Sequence, residues 1–249
     1  MTAPALHLVE RNYVAYRRMW KIFATGFFEP LFWLLSVGVG VAVLVGDVNG
    51  IPYDVFVAPG LLASSAMNGA VFDSTFNVFF RLRYAKTYEG MLATPMTPLD
   101  VAGGELLWSS IRGLTYASAF LGIMWALDLV LSPWAVLAIP AALLIGVAFS
   151  GVGMALTTWM RSFTDFDWIQ VALMPLFLLS TSFFPLDVYP RALELLVQVT
   201  PLYHGVSLVR GLTTGEVGPG LLVHVAVLVT LGLVGLAVTA RRFEGLLLK

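Results

Sequence analysis

The chain has 249 residues, of which 59% are hydrophobic and 12% are charged, and its formal net charge is -1. Soluble domains carry about 25% charged residues, so this composition excludes an ordinary soluble domain and indicates an integral membrane protein. The absence of cysteine excludes disulfides and thiolate metal sites. We expect a membrane protein with lipid around it, no metal site and no nucleic-acid partner.

The first segment, residues 8–25, mixes cations with aromatic residues and predicts a helix lying in the membrane interface. Arg11, Arg17 and Arg18 interrupt the stretch in which a signal peptide would have its apolar run, so a signal peptide is not predicted. The residue before Pro30 is disfavoured in a helix, which predicts a bend into the first span. The alternative is a basic flank that only orients the chain.

Six apolar segments follow, each near the roughly 20 residues that a membrane-crossing helix requires. They are residues 27–46, 55–79, 101–127, 133–160, 168–184 and 217–240. The predicted fold is therefore an all-α integral membrane protein, with residues 1–249 forming one transmembrane domain of six helices.

Lysine and arginine in the short loops predict the orientation of these spans, because such residues accumulate on the cytosolic side. With both termini in the cytosol, eleven of the 14 basic residues lie inside. They are Arg11, Arg17, Arg18, Lys21, Arg81, Arg83, Lys86, Arg161, Arg241, Arg242 and Lys249. Only Arg191 and Arg210 lie outside, and Arg112 lies within a span.

A polar segment, residues 81–97, separates the second and third spans on the predicted cytosolic side. Gly90 permits another surface to approach closely, and the two prolines Pro95 and Pro98 end the helix. Such a segment either lies on lipid or receives a soluble partner. The candidate contact residues are Tyr84, Lys86, Thr87, Tyr88, Glu89, Gly90, Met91, Leu92, Ala93, Thr94 and Pro95.

On the opposite side, residues 185–212 contain two apolar helices that are too short to span. Together they predict a re-entrant helical hairpin in the outer leaflet. Because backbone at that depth must be shielded by protein or line a wet cavity, the hairpin is expected to border a path. Its candidate gate residues are Phe184, Pro185, Leu186, Pro190, Pro201, Leu202 and His204.

Four polar residues interrupt the second and third spans: Asn68, Asp73, Glu105 and Arg112. Polar groups at such positions usually face protein or water, so they are candidates for a transport path or a dimer seam. The alternative places Glu105 in solvent at the cytosolic end, lets Arg112 reach the interface, and gives Asn68 and Asp73 packing hydrogen bonds.

Three glycine patterns, beginning at Gly38, Gly122 and Gly151, permit close helix packing. His204 is expected to hold the hairpin through a hydrogen bond. His224 is expected to be a satisfied polar group, and neither histidine predicts a proton relay.

Three short motifs resemble those of one family of membrane proteins. YEGMLATPMT (residues 88–97) is similar to a cytosolic coupling segment, FFPLDVYP (183–190) to a motif after the fifth span, and TPLYH (200–204) to a third motif. In order and placement they resemble the ABC-2 permease family, the NodJ-like and daunorubicin-resistance-permease-like exporters. The chain departs from that pattern in having a single acid, Glu89, in its coupling segment.

This resemblance implies a transport subunit that is not itself an enzyme. It implies a separate ATPase partner, two per complex, which binds ATP and Mg, because the chain has no phosphate-binding loop and no cofactor of its own. It also implies a second permease copy or a paralogue, an amphipathic drug, lipid or lipid-linked saccharide as substrate, and the bacterial cytoplasmic membrane as location. The alternatives are an ion-gradient-driven secondary transporter, which would be expected to show repeats, and an intramembrane enzyme.

Overall fold

The computed structural model describes residues 3–16, 28 and 30–247, and this part of the chain is mostly helical. Its helices are α1 (Ala3–Tyr16), α2 (Pro30–Val45), α3 (Tyr53–Arg83), α4 (Thr87–Leu92), α5 (Pro98–Ala126), α6 (Pro133–Thr157), α7 (Asp165–Leu178), α8 (Arg191–Val199), α9 (Pro201–Thr214) and α10 (Leu221–Leu247). A short antiparallel pair, β1 (Asp47–Val48) and β2 (Ile51–Pro52), joins α2 to α3.

Three helices of the described chain, α3, α6 and α10, are long and apolar enough to cross a membrane. A fourth crossing is possible if α8 and α9, which meet at 84°, count as one broken span. Of the other predicted spans, α5 has 29 residues but contains Glu105 and Arg112, while α7 has only 14 residues. The all-α membrane class is confirmed, and the count of six spans stays a prediction.

Several predicted boundaries differ from the structure. α1 begins at Ala3, five residues before the predicted start, and residues 17–25 of the predicted interfacial helix lie outside the described residues. α3 continues to Arg83. α10 begins at Leu221, after the Gly-Pro-Gly sequence of residues 218–220, and continues to Leu247.

The predicted helix over 168–184 is wrong beyond Leu178, where α7 ends. The next residues, 180–182, carry hydroxyl side chains, which form hydrogen bonds with nearby groups where the backbone bonds of a helix would otherwise continue. Ser180 donates to the carbonyl of Phe177 and shares a hydrogen bond with Ser182, while Thr181 has a left-handed φ of 61°. Such local side-chain bonds compete with a helix, so this part of the chain is non-helical.

The core forms around α3, which packs against α5, α6 and α9. α6 and α10 pack where Gly151 meets Gly232 and Gly235, since an added Cβ at Gly151 would lie 2.8 Å from the Gly232 carbonyl oxygen. The Gly151 pattern therefore permits a close helix contact. The Gly122 pattern makes no such contact within the described chain, because nothing there lies within 4 Å of an added Cβ.

A π-helical turn, Asp73–Asn77, interrupts α3 close to the predicted cytosolic end. The hydroxyls of Ser74 and Thr75 donate to the carbonyl of Val71 within this turn. Single π-turns inside α-helices frequently occur at functional sites. Asp73, the first residue of the turn, is buried, which leads to the polar contacts described next.

Candidate functional site

The short helix α4 is attached to the bundle mainly by Tyr88, while Met91 and Leu92 pack against the same apolar cluster from partly buried positions. The chain enters α4 through Lys86, which has a left-handed φ of 48°, and turns Tyr88 into a completely buried position. The ring centroids of Tyr88 and Phe243 are 5.4 Å apart. The apolar cluster around Tyr88 draws on five other helices through Leu8, Val78, Leu82, Val101, Ala102, Leu106, Met154 and Phe243.

Beside this cluster, the carboxylate of Glu105 on α5 is fully buried and connects three helices. It forms an ion pair with Arg81 of α3, and it lies 3.5 Å from Nη2 of Arg11 on α1. Nδ2 of Asn12 donates to it over 3.1 Å. We call Glu105, Arg81, Arg11 and Asn12 the Glu105 network; it joins α1, α3 and α5.

The Glu105 network also influences Tyr88. Burial, and then the negative charge of Glu105, raise the pKa of the Tyr88 phenol well above its ordinary value of 10.0. In the described chain the hydroxyl of Tyr88 makes no hydrogen bond of normal geometry, but the carboxylate of Glu105 lies near enough to raise its pKa. Tyr88 therefore stays protonated at physiological pH, as an uncharged group in an apolar seat.

The opposite face of α4 is open. Lys86 and Glu89 form an exposed pair 3.7 Å apart, and an added Cβ at Gly90 would meet nothing within 4 Å. At the next helix, Thr97 and Asp100 form a reciprocal capping box that fixes the start of α5. The segment thus has one buried face and one free face, as a docking helix requires.

The four polar residues predicted for a path or seam separate into two places. Glu105 belongs to the network above, whereas Arg112 on α5 reaches Asp73 on α3 with Nη1 2.7 Å from Oδ1. Their side chains are 3% and 1% exposed. The alternative that Glu105 is solvated and Arg112 reaches the interface is wrong, because both find buried partners of opposite charge, which offset the cost of burial.

A cavity of about 780 Å³ lies between α2, α3, α5 and α7 and includes Arg112 and Asn68 in its wall. A volume of this size fits a drug-sized molecule. Its polar lining consists of Asn68, Thr75, Arg112, Tyr116 and Gln170, and its apolar lining includes Trp33, Phe72, Phe76, Leu173, Met174 and Phe177. The cavity can therefore accommodate an amphiphile, with hydrogen-bonding groups beside a large apolar surface.

At the opposite end of the bundle, Arg210 of α9 holds the hairpin to α3 and to the non-helical residues 179–184. Its Nη2 donates to the carbonyls of Thr181 and Phe56, over 2.6 and 3.1 Å, and its guanidinium lies 4.0 Å from the centre of the Phe56 ring. An added Cβ at Gly60 would lie 2.7 Å from Cα of Ser182, so only glycine permits this approach. The sequence analysis did not select Arg210 as a site residue. A cation within an apolar helix indicates a buried polar contact, and that pattern was the available signal.

Among the predicted gate residues, His204 is the one with a defined polar contact to a span. Its Nδ1 lies 2.8 Å from Nδ1 of His224 on α10. Sequence analysis considered both histidines but did not pair them, since they are 20 positions apart. Leu202 is buried, Pro185, Leu186 and Pro201 are half-buried, and Phe184 and Pro190 are exposed.

Within the described residues, no group of three or more histidine and acidic side chains could hold a metal ion. The described chain has helices long and apolar enough to cross a membrane, and one of them, α3, lines an amphiphile-sized cavity. These two features are those of a membrane transport protein.

Residues 5–213 match the ABC-2 type transporter family, and the chain belongs to this family. It is 32% identical over 222 residues to Nodulation protein J of Rhizobium leguminosarum bv. viciae, covering 88% of this chain and 85% of that protein. It is 31% identical to Nodulation protein J of Sinorhizobium fredii over 220 residues, 88% and 84% of the two chains. The inner membrane transport permease YadH of Escherichia coli is 26% identical over 170 residues, 66% and 64% of the two chains.

Proposed function

We propose that this membrane subunit is the permease of an ATP-driven exporter and that a separate ATPase subunit docks on the free face of α4. The observation that carries this proposal is the two-faced helix: Tyr88 is fully buried on one side, while Lys86, Glu89 and Gly90 are open on the other. Two ATPase subunits per complex would bind the ATP and Mg, and the chain itself would hold no cofactor.

In this mechanism, closure of the ATPase pair moves α4 as a rigid body. The movement passes through Tyr88 to the helices that surround it, and through Glu105 to α1 and α3. The close-packed apolar cluster around Tyr88 would transmit this displacement, because protein interiors are dense and little compressible. The Glu105 network would keep α1, α3 and α5 together during that movement.

The cavity supports an amphipathic substrate: a drug, a lipid or a lipid-linked saccharide. Asn68 and Gln170 would bind its polar part and the aromatic lining its apolar part. A second permease copy or a paralogue would close the open side of the cavity. The chain would cross the bacterial cytoplasmic membrane six times with both termini in the cytosol, and the α8–α9 hairpin would gate the outer exit.

The test measures ATP hydrolysis by the purified permease–ATPase complex. The double variant Glu89→Ala with Gly90→Trp removes a charge and adds bulk on the free face; within the chain it breaks only the exposed pair with Lys86, and an added Cβ at Gly90 meets nothing within 4 Å. We expect the ATPase subunit to dissociate or to lose its stimulation by substrate. Gly218→Trp, also in open space but in the loop before α10, is the matched control and should couple normally.

If the double variant assembles and couples like the wild type, α4 is a linker on lipid and the proposal fails. Export that continues without ATP hydrolysis but stops when an ionophore dissipates the ion gradient would favour a secondary transporter instead.

A further inference from the structure

A second groove, separate from the cavity and from α4, lies on the outer surface of the bundle between α6 and α7. It has a volume of about 530 Å³ and is open along one side. Its wall is apolar over most of its length and includes Leu156, Trp159, Trp168 and Ile169, whereas Arg161 and Asp165 stand at one end. It therefore has the two-part character of a site for an amphiphile.

Three arginines from three parts of the chain gather at the charged end, around residues 158–161. Arg83 donates to the carbonyl of Met160 over 3.0 Å. Arg242 donates to the hydroxyl of Thr158 over 3.3 Å, and its guanidinium lies 4.8 Å from the centre of the Trp159 ring. Arg161 is exposed beside them. Each guanidinium has five N–H donors, so these contacts leave donors for a further ligand.

The acids at this end do not cancel the arginines. Asp165 accepts hydrogen bonds from the backbone N–H groups of Arg161 and Ser162, over 2.6 and 3.0 Å. These bonds lower its pKa and keep the carboxylate charged, so Asp165 offsets part of the positive charge of the arginines. Asp167 is the other acid nearby and is exposed. Three arginines against two acids leave the end of the groove positively charged, which suits an anionic ligand.

The dimensions of the groove suit a lipid chain in one leaflet. The groove follows α7 from Asp165 to Ala172, which is seven residue steps and a rise of about 10 Å. One leaflet contributes about 15 Å to the hydrocarbon core. Tryptophans are typical of the level where that core meets the headgroups. A soluble partner could not reach the far end, since α6 is one of the helices able to span the membrane.

We propose that this groove binds an anionic phospholipid. Its acyl chain would lie against Trp159 and Trp168, and its phosphate would meet Arg161 and Arg242. Basic pockets between membrane helices on the cytoplasmic side bind acidic lipid headgroups, and the predicted orientation puts this end there. The groove shares the side chain of Ile169 with the wall of the cavity, but its charged end lies outside that wall, and the site does not depend on the proposed transport.

The experiment counts phospholipids bound to the purified full chain by native mass spectrometry, with phosphatidylglycerol and phosphatidylcholine titrated separately. We expect the wild type to prefer phosphatidylglycerol. The exposed Arg161→Gln change should weaken phosphatidylglycerol binding about fivefold, the effect of one charge near an anionic headgroup, and leave phosphatidylcholine binding unchanged. Arg191→Gln, an exposed arginine paired with Glu194 on α8, is the matched control and should change neither.

The apolar wall is tested by Trp168→Ala, which should weaken binding of both lipids, against Trp134→Ala as an exposed control on α6. Unchanged phosphatidylglycerol binding in Arg161→Gln overturns the proposal, as does an equal loss of both lipids in that variant. If Arg161→Gln instead weakens capture of the ATPase subunit while lipid binding persists, the arginines belong to a protein interface and the proposal is wrong.

Discussion

The two ends of the bundle are held together by different chemistry. At the α4 end, one buried carboxylate, Glu105, connects helices through side-chain ion pairs with Arg81 and Arg11. At the hairpin end, Arg210 connects elements through the backbone carbonyls of Phe56 and Thr181. The first end therefore depends on opposite charges, and the second depends on a cation that bonds to neutral backbone carbonyls, one in α3 and one in the non-helical segment after α7.

This difference has an energetic consequence. Removing Glu105 takes the counter-charge from Arg81, whose side chain is only 12% exposed, and a largely buried charge that loses its ion-pair partner is costly. Removing Arg210 leaves neutral carbonyls, which cost less when a donor is lost. The α4 end should be the more sensitive to single substitutions, while the hairpin end should change locally.

The largest effect is expected for Glu105→Ala. It should lower the free energy of unfolding by about 3–5 kcal/mol, since Arg81 and Arg11 lose their counter-charge. The measurement is unfolding in mixed detergent micelles with increasing denaturing detergent. Glu89→Ala is the matched control, because its exposed pair with Lys86 is worth at most about 1 kcal/mol. Equal losses in the two variants would contradict the role given to the Glu105 network.

At the other end, Arg210→Met should cost about 1.5–3 kcal/mol, the usual value of hydrogen bonds to a charged group. The loss should appear as faster amide hydrogen exchange in residues 179–184. Arg191→Met, which removes an exposed arginine of α8, serves as the control. A loss as large as that of Glu105→Ala would erase the contrast between the two ends.

A smaller effect is expected for His224→Phe, which keeps an aromatic ring but removes the hydrogen bond between Nδ1 atoms of His204 and His224. The expected cost is about 1 kcal/mol, observed as a lower unfolding midpoint. His7→Phe, at an exposed position on α1, should leave the midpoint unchanged. A neutral His224→Phe would show that the contact between His204 and His224 does not stabilise the hairpin.

The smallest effect concerns pH and Asp165. Backbone hydrogen bonds from Arg161 and Ser162 lower its pKa below the ordinary 3.8, so the folded state favours the charged form. The resulting stability is present above that ordinary pKa and is lost as the pH falls through the lowered value. Wild type and Asp165→Asn should therefore differ in thermal midpoint at pH 7 and converge in acid. Asp167→Asn removes a neighbouring carboxylate without these bonds; a similar pH dependence there would contradict the assignment.

The sequence could predict the helices whose apolar runs are uninterrupted, α3, α6 and α10, because composition and length suffice for them. It could also predict the hairpin bend at Pro201, since proline ends the preceding helix. The motifs indicated the family, which the match over residues 5–213 confirms.

The sequence could not predict which groups meet. Glu105 finds its partners 24 and 94 positions away, and no periodicity links α1, α3 and α5. The end of α7 was missed because residues 179–184 remain apolar enough to continue a span, and only the local hydroxyl bonds stop the helix. Arg210 was counted only as a basic residue outside the membrane, and its partner Thr181 lies in a segment that was predicted to be helical.

The short length of α7 has a consequence for how the chain enters the bilayer during synthesis. Fourteen residues rise about 21 Å, less than a hydrocarbon core of about 30 Å, so α7 cannot complete a crossing by itself. Among the residues that follow, Thr181 has its carbonyl satisfied by Arg210, which leaves the ribosome 29 residues later. The part of the chain from α7 to α9 is therefore expected to insert as one unit, against an α3 that is already in place.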